Sequence, residues 1–249
     1  MLTTLLLVLA GVAAGLSGSM AGLASLFSYP ALLAAGLPPV VANQTNTIAL
    51  AVSSTASIAS SRPELRGQRA RVLRLIPLTV VGGVIGGALV LVTPSETFAL
   101  IVPFLVAFAS LVLLRPPRAA AAGAGRADGR PGPATVVGAI LIGVYSGYFG
   151  AAAGVLMLAL LTHLLADTLV RVNAVKNVLL GASNAVAAIG FIVFGTVVWT
   201  AALPLMLGLF VGNYAGPAIA RRLPPGVLRV GIAIAGLVLA VVLFVQAVG

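Results

Sequence analysis

The only lysine of the chain lies in an apolar stretch that also carries several amide side chains. In "VNAVKNVLLGASN" (172–184), Asn173, Asn177 and Asn184 would share one face of a helix, with Lys176 beside them. A charge inside a membrane-spanning segment is costly and by default indicates a functional site. The natural partner of this cation is an anionic substrate. The alternative is a lysine near a helix end whose amine reaches the membrane surface.

A second polar segment, "ANQTNT" (42–47), lies near the start of an earlier apolar stretch. Its amides and hydroxyls, among them Asn43, Thr45 and Asn46, could bind and orient the oxygens of an anion. A third polar pair, which could contact a ligand or form an interhelical hydrogen bond, comprises Asn213 and Tyr214.

Carboxylates are absent from the middle of the apolar stretches. The acidic residues are Glu64, Glu96, Asp128 and Asp167. The chain has no cysteine, no paired carboxylates, no HExxH motif and no phosphate-binding loop. We therefore expect no enzyme activity, no metal site and no cofactor, and a site of amides, hydroxyls and one lysine suits an anion.

The composition indicates the setting of these residues. Of 249 residues, 61% are hydrophobic and 7% are charged, and the mean hydropathy is +1.20. A soluble domain carries about a quarter charged residues. Apolar runs of roughly 18 residues or more recur, each long enough to cross a bilayer as a helix. They are continuous, whereas barrel strands alternate, so the sequence predicts an all-α polytopic membrane protein in contact with lipid.

The glycines of two distant stretches follow the same spacing. Each glycine of "GVAAGLSGSMAG" (11–22) has a counterpart 132 residues later in "GVYSGYFGAAAG" (143–154). Ordered matches continue downstream, where Asn46 corresponds to Asn177. Ordered matches with a slowly drifting offset indicate an old internal duplication.

Each half then contains four apolar stretches. They span residues 2–36, 38–60, 75–92 and 97–114 in the first half, and about 134–165, 168–195, 197–219 and 227–248 in the second. The intervening "RPPRAAAAGAGRADGRPGP" (115–133) has the composition of a flexible linker. We predict transmembrane repeats at 1–114 and 134–249, joined by this linker on the cytoplasmic side.

The first stretch of each half is too long for one membrane-spanning helix. Residues 2–36 and 134–165 would each extend roughly 50 Å as a single helix, against about 30 Å of hydrocarbon. Glycine weakens a helix, so the clustered glycines predict a helix–break–helix unit in each half. Two such breaks would direct helix amino termini at one point near mid-membrane, where they could bind an anion. The alternative is that the glycines serve only close helix packing.

Arginine placement bears on the topology. The net charge of +10 comes mostly from arginines between apolar stretches, which is typical of loops held on the cytoplasmic side; nucleic acid is therefore not an expected partner. Both broken stretches could enter and leave on one side, giving inverted repeats with every arginine cluster inside. Eight plain crossings with parallel halves are the alternative. The clusters after the second, fourth and seventh stretches comprise Arg62, Arg66, Arg69, Arg71 and Arg74; Arg115, Arg118, Arg126 and Arg130; and Arg221, Arg222 and Arg229.

Both copies of the repeat resemble a known family. "GLSGSMAGLASLFSYPALLAAGLPPVVANQTN" (15–46) is similar to the opening of the sulfite exporter TauE/SafE family, also called the 4-toluene sulfonate uptake permease family. "GVYSGYFGAAAGVLMLALL" (143–161) with "NAVKN" (173–177) resembles its second copy. The resemblance implies a transporter of the bacterial inner membrane for small sulfur-containing anions such as sulfite, sulfoacetate or organosulfonates.

The predicted function is that of a secondary carrier whose anionic substrate binds between the two breaks. An anion channel, a carrier of a non-sulfur organic anion and a non-transporting membrane subunit stay open, as does a homodimer. The predicted substrate-binding residues are Ser17, Gly18, Ser19, Asn43, Thr45, Asn46, Ser146, Tyr148, Gly150, Lys176, Asn177 and Asn184.

Overall fold

The structure is a computed structural model, and it describes residues 1–114, 131–220, 234, 237, 238 and 240–245. Over these residues the chain is helical with short connections, and it contains no strand. The helices of the first half are α1 (Leu2–Ala21), α2 (Ser25–Ala34), α3 (Pro39–Ser60), α4 (Arg62–Leu65), α5 (Arg69–Val92) and α6 (Ser95–Leu114). Those of the second are α7 (Pro133–Tyr148), α8 (Ala153–Leu164), α9 (Leu169–Phe194) and α10 (Trp199–Ala220), and residues 240–245 are also helical.

Both over-long stretches are broken at their glycine clusters, as predicted. α1 ends because Gly22 adopts a left-handed conformation with φ +75°, and α2 begins three residues later. α7 ends at Tyr148, and the turn that follows contains Gly150 at φ +74° and Ala152 at φ +57°. Left-handed backbone stops a helix and favours glycine, so these short sequences determine where each helix ends.

Four helices of the described part are long and apolar enough to cross a membrane: Leu2–Met20, Arg69–Val92, Ser95–Val112 and Leu169–Phe194. Their outer faces expose large apolar side chains such as Leu9, Val84 and Phe104, which a lipid environment would cover. The predicted all-α polytopic membrane fold is confirmed.

Glycines bring the two halves into close contact. A side chain at Gly11 or Gly15 of α1 would overlap the backbone of α10 near Gly208 and Gly212. The reciprocal pair joins α5 and α7, where side chains at the glycines would again overlap the facing backbone. That pair comprises Gly82 and Gly86 of α5 with Gly143 and Gly147 of α7. Each half therefore packs its first helix against the other half through glycines that the internal repeat relates.

The order of these contacts gives the direction of each helix. Between α1 and α10, the residue numbers of the contacting residues increase along both helices, so the two helices run in the same direction. The same is true of α5 with α7 and of α5 with α9. α3 runs with α10, because Thr45 meets Val198 and Asn213 meets Ser53. It runs opposite to α9, where Ser54 meets Gly181 while Gln44 meets Thr196.

The helices thus form two sets, α1, α3 and α10 against α5, α7 and α9. Since α1 and α3 point the same way, the broken segment formed by α1 and α2 starts and finishes at one end of the bundle. The same holds for the segment formed by α7 and α8, because α7 and α9 point the same way. Helices that the repeat relates run in opposite directions. These directions favour the inverted-repeat prediction; the orientation of either half in a membrane stays a prediction.

The loop after α3 and the loop before α9 meet at one end of the bundle, called here the arginine face (residues 61–71 and 165–171). Asp167 accepts from Arg71 Nη1 at 2.7 Å and pairs with Arg171 Nε at 2.9 Å. The buried Gln68 donates to the carbonyl of Arg171 at 3.1 Å. Arg71 of the first half and Arg171 of the second are thus brought together through Asp167.

Several predictions fall outside the described residues. They concern the linker over 115–130, most of the apolar stretch 227–248 and the arginines Arg115, Arg118, Arg126, Arg130, Arg221, Arg222 and Arg229. The domain boundaries at 114 and 134 stay predictions.

Candidate functional site

A cavity of about 70 Å³ lies where the two breaks meet. Its lining combines the two broken segments with α3, α9 and α10. The lining residues are Gly18, Ser19, Gly22, Ala24, Ser25, Leu50, Ser54, Ser57, Ser146, Gly150, Ala153, Gly154, Lys176, Asn177, Leu180, Gly181, Asn184 and Asn213.

The breaks touch each other at Gly22 and Gly154. A side chain on either glycine would overlap the backbone of the other. The two breaks are therefore adjacent, as the anion-site hypothesis requires, and both glycines line the cavity.

Two helices begin beside the cavity. α2 starts at Ser25 and α8 at Ala153, and neither has a side-chain hydrogen bond to cap its first turn. The first N–H groups of a helix have no acceptor within the helix, and the helix dipole places partial positive charge there. Both starts therefore favour a negative charge in the cavity.

Lys176 is the charged residue of the cavity lining. It lies two turns inside α9 and its side chain is 1% exposed, so the amine does not reach a surface. Its Nζ donates one long hydrogen bond, 3.4 Å, to the carbonyl of Gly18 at the end of α1. An ammonium has three donors, and an anion in the cavity would provide acceptors and neutralise the charge.

Asn177 supplies a second donor. The residue is buried, and its Nδ2 group has no hydrogen-bond partner. An unpaired buried donor costs about 1–3 kcal/mol. Because this donor belongs to a residue that lines the cavity, a bound anion would remove that cost.

Ser25 supplies a third donor through a contact with Asn46. The Nδ2 group of Asn46 donates to Ser25 Oγ at 3.3 Å. The hydroxyl oxygen of Ser25 is thereby used as an acceptor, and its proton is left to donate elsewhere. Asn46 does not line the cavity itself but orients a residue that does.

The other predicted residues of the lining are engaged with each other or with backbone. Ser146 Oγ donates to Asn184 Oδ1 at 3.2 Å, and Ser19 Oγ donates to the carbonyl of Gly15 at 2.9 Å. The structure therefore brings seven predicted residues to the cavity: Gly18, Ser19, Ser146, Gly150, Lys176, Asn177 and Asn184.

Four further predicted residues lie around the cavity without lining it. Ser17 bonds within α1 to the carbonyl of Ala14. Asn43 Nδ2 donates to the carbonyl of Tyr148 at 2.8 Å, where α7 ends. Thr45 Oγ1 accepts from the amide of Val198 at 3.3 Å.

The two residues of the third polar pair, Asn213 and Tyr214, have different surroundings in the structure. Asn213 lines the cavity and forms an interhelical hydrogen bond to Ser53 Oγ at 3.0 Å, whereas Tyr214 is 61% exposed. Sequence reasoning missed Ser25 and three residues of α3 that line the cavity. The signal that could have found the latter is their helical spacing, since Leu50, Ser54 and Ser57 fall on one face.

The charged and polar groups of the cavity are a lysine, amides and hydroxyls. Among the residues that the structure describes, no carboxylate lines it, and no group of three or more His, Cys, Asp or Glu could hold a metal ion. A buried cation, an unpaired amide donor, a hydroxyl and two helix starts converge on one small space. Groups of this kind would attract an anion and offer it hydrogen bonds.

The fold and this cavity define a polytopic helical membrane protein with a polar cavity between two halves. The sulfite exporter TauE/SafE family profile matches residues 7–243, and the chain belongs to that family. It is 30% identical over 208 residues to a probable membrane transporter protein, YfcA, of Escherichia coli K12, covering 82% of this chain and 75% of that protein.

Two further relatives are named as transporters. The chain is 30% identical over 239 residues to a probable membrane transporter protein, ORF9, of Sinorhizobium, covering 92% of this chain and 89% of that one. It is 27% identical over 212 residues to a probable membrane transporter protein of Haemophilus influenzae, covering 83% and 80%. No solved structure matches the chain at a significant level. Family and relatives together identify a membrane transporter.

Proposed function

We propose that this transporter is a secondary carrier of small sulfur-containing anions, such as sulfite, sulfoacetate or an organosulfonate, in the bacterial inner membrane. The observation that carries the proposal is the buried Lys176 in a cavity between two helix breaks, with no carboxylate in the described lining. An uncompensated buried charge is expensive, and a substrate anion compensates it.

Transport would follow from the position of the cavity between the halves. The anion contacts α1 and α2 of one half and α8 and α9 of the other, so a relative movement of the halves would open the cavity to one side at a time. The glycine contacts between α1 and α10 and between α5 and α7 provide smooth surfaces for such a movement. No catalytic step is part of this proposal.

The test is sulfite counterflow in proteoliposomes. Radiolabelled sulfite should enter vesicles saturably, and faster when unlabelled sulfite is inside. Lys176→Met, which keeps the length of the side chain without its charge, should reduce the flux to background. Arg69→Met is the matched control, because it removes one positive charge from an exposed residue away from the cavity.

Two results would contradict the proposal. One is wild-type flux in correctly folded Lys176→Met protein. The other is a flux that neither saturates nor responds to internal sulfite, which would indicate a channel.

A further inference from the structure

We infer that a monovalent cation such as Na⁺ binds beside the cavity, between the side-chain oxygens of Asn43 and Asn46 at the carbonyl end of α7. The existence of this site does not depend on the proposed function. Its role does rest on that function, because the cation would serve as the coupling ion of the transported anion. Three observations lead to the site: two unpaired buried oxygens, the end of a helix, and an ammonium group at the corresponding helix end of the other half.

Two buried amide oxygens on one face of α3 have no hydrogen-bond partner. They are Oδ1 of Asn43 and Oδ1 of Asn46, which belong to residues that are 0% and 1% exposed. Residues three apart on a helix are neighbours, with about 5–6 Å between their Cβ atoms. Buried polar groups are nearly always paired in proteins, so two adjacent unpaired acceptors indicate a bound group of positive charge.

The nitrogen of each amide is already engaged, which fixes the side chain. Nδ2 of Asn43 donates to the carbonyl of Tyr148 at 2.8 Å. That carbonyl can only accept, so the oxygen of Asn43 cannot take the place of the nitrogen. Nδ2 of Asn46 donates to Ser25 Oγ at 3.3 Å. Both oxygens are therefore held as acceptors that a cation can use.

The helix α7 ends at this point. Its last residue is Tyr148, whose carbonyl Asn43 contacts. The last carbonyls of a helix have no donor within the helix, and the helix dipole places partial negative charge there, which favours a cation. In carriers with broken helices, half-helix ends of this kind coordinate the coupling cation.

In the other half, a side chain brings a positive charge to the corresponding helix end. Asn173 donates to the carbonyl of Ser19 near the end of α1, as Asn43 does at the end of α7. Three residues after Asn173 comes Lys176, whose ammonium donates to the carbonyl of Gly18. The carbonyl end of α1 is thus compensated by a cation that belongs to the chain.

The first half has no such cation on α3. Three residues after Asn43 comes Asn46, and α3 contains no basic residue. The arginines that follow α3 begin at Arg62, which is 16 residues (62 − 46) further on, on the order of 24 Å along a helix. A bound cation would therefore do at the end of α7 what the Lys176 ammonium does at the end of α1.

The ligand chemistry favours a monovalent cation. The helices that meet here, α2, α3 and α7, contain no Asp or Glu. Sites for Ca²⁺ and Mg²⁺ usually include carboxylates that offset the double charge. Neutral amide and carbonyl oxygens suit a single charge instead, and water from the cavity would complete the coordination.

Ser25 connects the cation site to the cavity. Asn46 bonds to Ser25, and Ser25 lines the cavity. A cation on the oxygen of Asn46 holds that amide in place and thereby orients the Ser25 hydroxyl, while its charge attracts an anion in the cavity. Binding of either ion therefore strengthens binding of the other by the same factor.

Binding of radioactive Na⁺ to the purified protein tests the site without a transport step. The wild-type protein should bind Na⁺ saturably, and unlabelled Na⁺ should displace it whereas N-methylglucamine should not. Asn46→Leu, which keeps a similar volume without the oxygen, should lose this binding. Thr55→Val is the matched control, because it removes an oxygen from an exposed position of the same helix.

A second variant imitates the other half. Asn46→Lys places an ammonium on α3 three residues after Asn43, as Lys176 follows Asn173. This variant should no longer bind Na⁺ but should still bind sulfite, with an affinity that Na⁺ does not change. Loss of both ions from folded Asn46→Lys protein would contradict the inferred correspondence between the two helix ends.

Isothermal titration calorimetry with sulfite tests the coupling. The wild-type protein should bind sulfite about fivefold or more tightly in sodium gluconate than in N-methylglucamine gluconate of equal concentration. Asn46→Leu should show no such difference. Equal sulfite affinity of the wild-type protein in the two salts overturns the coupling role.

The remaining outcomes separate this inference from the proposed function. If the wild-type protein binds no Na⁺, or if folded Asn46→Leu binds it unchanged, the cation site is overturned, while sulfite counterflow would still support an anion carrier. Conversely, Na⁺ binding that Asn46→Leu removes, in a protein that neither binds nor transports sulfite, supports the site and contradicts the proposed function.

Discussion

Two polar segments 130 residues apart, Asn43–Asn46 on α3 and Asn173–Lys176 on α9, hold the broken helix of the opposite half. Asn43 donates to the carbonyl of Tyr148 at the end of α7, and Asn173 donates to the carbonyl of Ser19 near the end of α1. The arrangement is reciprocal, so each half stabilises the break of the other.

The segments differ three residues further on. Asn46 binds Ser25 at the start of α2, whereas Lys176 reaches the carbonyl of Gly18 at the end of α1. One half thus contributes an amide that orients a hydroxyl, and the other contributes the cation. The same scaffold, used twice, therefore brings a cation to the cavity from one half only.

The largest effect of a substitution on transport is expected where the two breaks touch, because both breaks line the same cavity. Gly154→Ala adds a methyl group that would overlap the backbone of Gly22. Overpacking of this kind costs about 1–3 kcal/mol, and we expect transport to be lost with a lowered melting temperature. Gly132→Ala is the control, since nothing lies close to that position. Wild-type flux in Gly154→Ala would show that the contact is not needed.

The next prediction removes the difference in charge between the two segments. Lys176→Asn replaces the cation with an amide side chain, the kind of group that Asn46 carries. Charge-assisted hydrogen bonds contribute about 1.5–3 kcal/mol, so the dissociation constant for sulfite should rise roughly tenfold to a hundredfold. Adding Asn46→Lys should not restore binding, because position 46 does not line the cavity. Recovery of affinity in the double variant would mean that either half can carry the charge.

The sequence predicts those parts of the fold and the cavity that depend on local properties of the chain. Clustered glycines in over-long apolar stretches predicted both breaks, because glycine and segment length act locally. A single lysine among amides predicted the charged residue of the cavity. Ser25 was missed, because a serine in "LASLFSYP" resembles any helix-start residue until Asn46 is found bonded to it.

Asn43 and Tyr148, which were also predicted to bind substrate, lie beside the cavity without lining it. They carry suitable polar groups, but tertiary packing pairs Asn43 with the carbonyl of Tyr148 rather than directing either to the cavity. The sequence around Asn43 does not predict that this residue of α3 contacts the end of α7. That information appears only with the contacts between halves.

A smaller effect, on stability, is expected when either of the two asparagines that bond to the end of the opposite broken helix is replaced. Asn43→Ala and Asn173→Ala each remove one hydrogen bond to a carbonyl at the end of a broken helix. Each should lower the free energy of unfolding by about 0.5–1.5 kcal/mol, measured by denaturation in detergent. The fully buried Asn43 should cost more than the partly exposed Asn173. A larger loss of stability for Asn173→Ala than for Asn43→Ala would contradict the expectation that burial determines which hydrogen bond stabilises the fold more.

The smallest effect is expected at the arginine face, where the halves meet through exposed charges. Burial alone would raise the pKa of Asp167. Hydrogen bonds from Arg71, from the Thr168 amide and from Arg171, with the charge of Arg171, instead hold that pKa below its ordinary value of 3.8. A carboxyl with a lowered native pKa stabilises the folded state above its unfolded pKa and loses that contribution as the pH falls through the native value.

Asp167→Asn should therefore lower stability only modestly at neutral pH, by about 0–1 kcal/mol, because both arginine partners are partly exposed to solvent. The difference between wild type and variant should stay constant from pH 8 to about pH 5 and shrink below about pH 4, where Asp167 takes up a proton. Melting curves of both proteins over this range, at low and high salt, measure it. A difference that grows on acidification would mean that Asp167 is stabilised in its protonated form, which its two arginine contacts oppose.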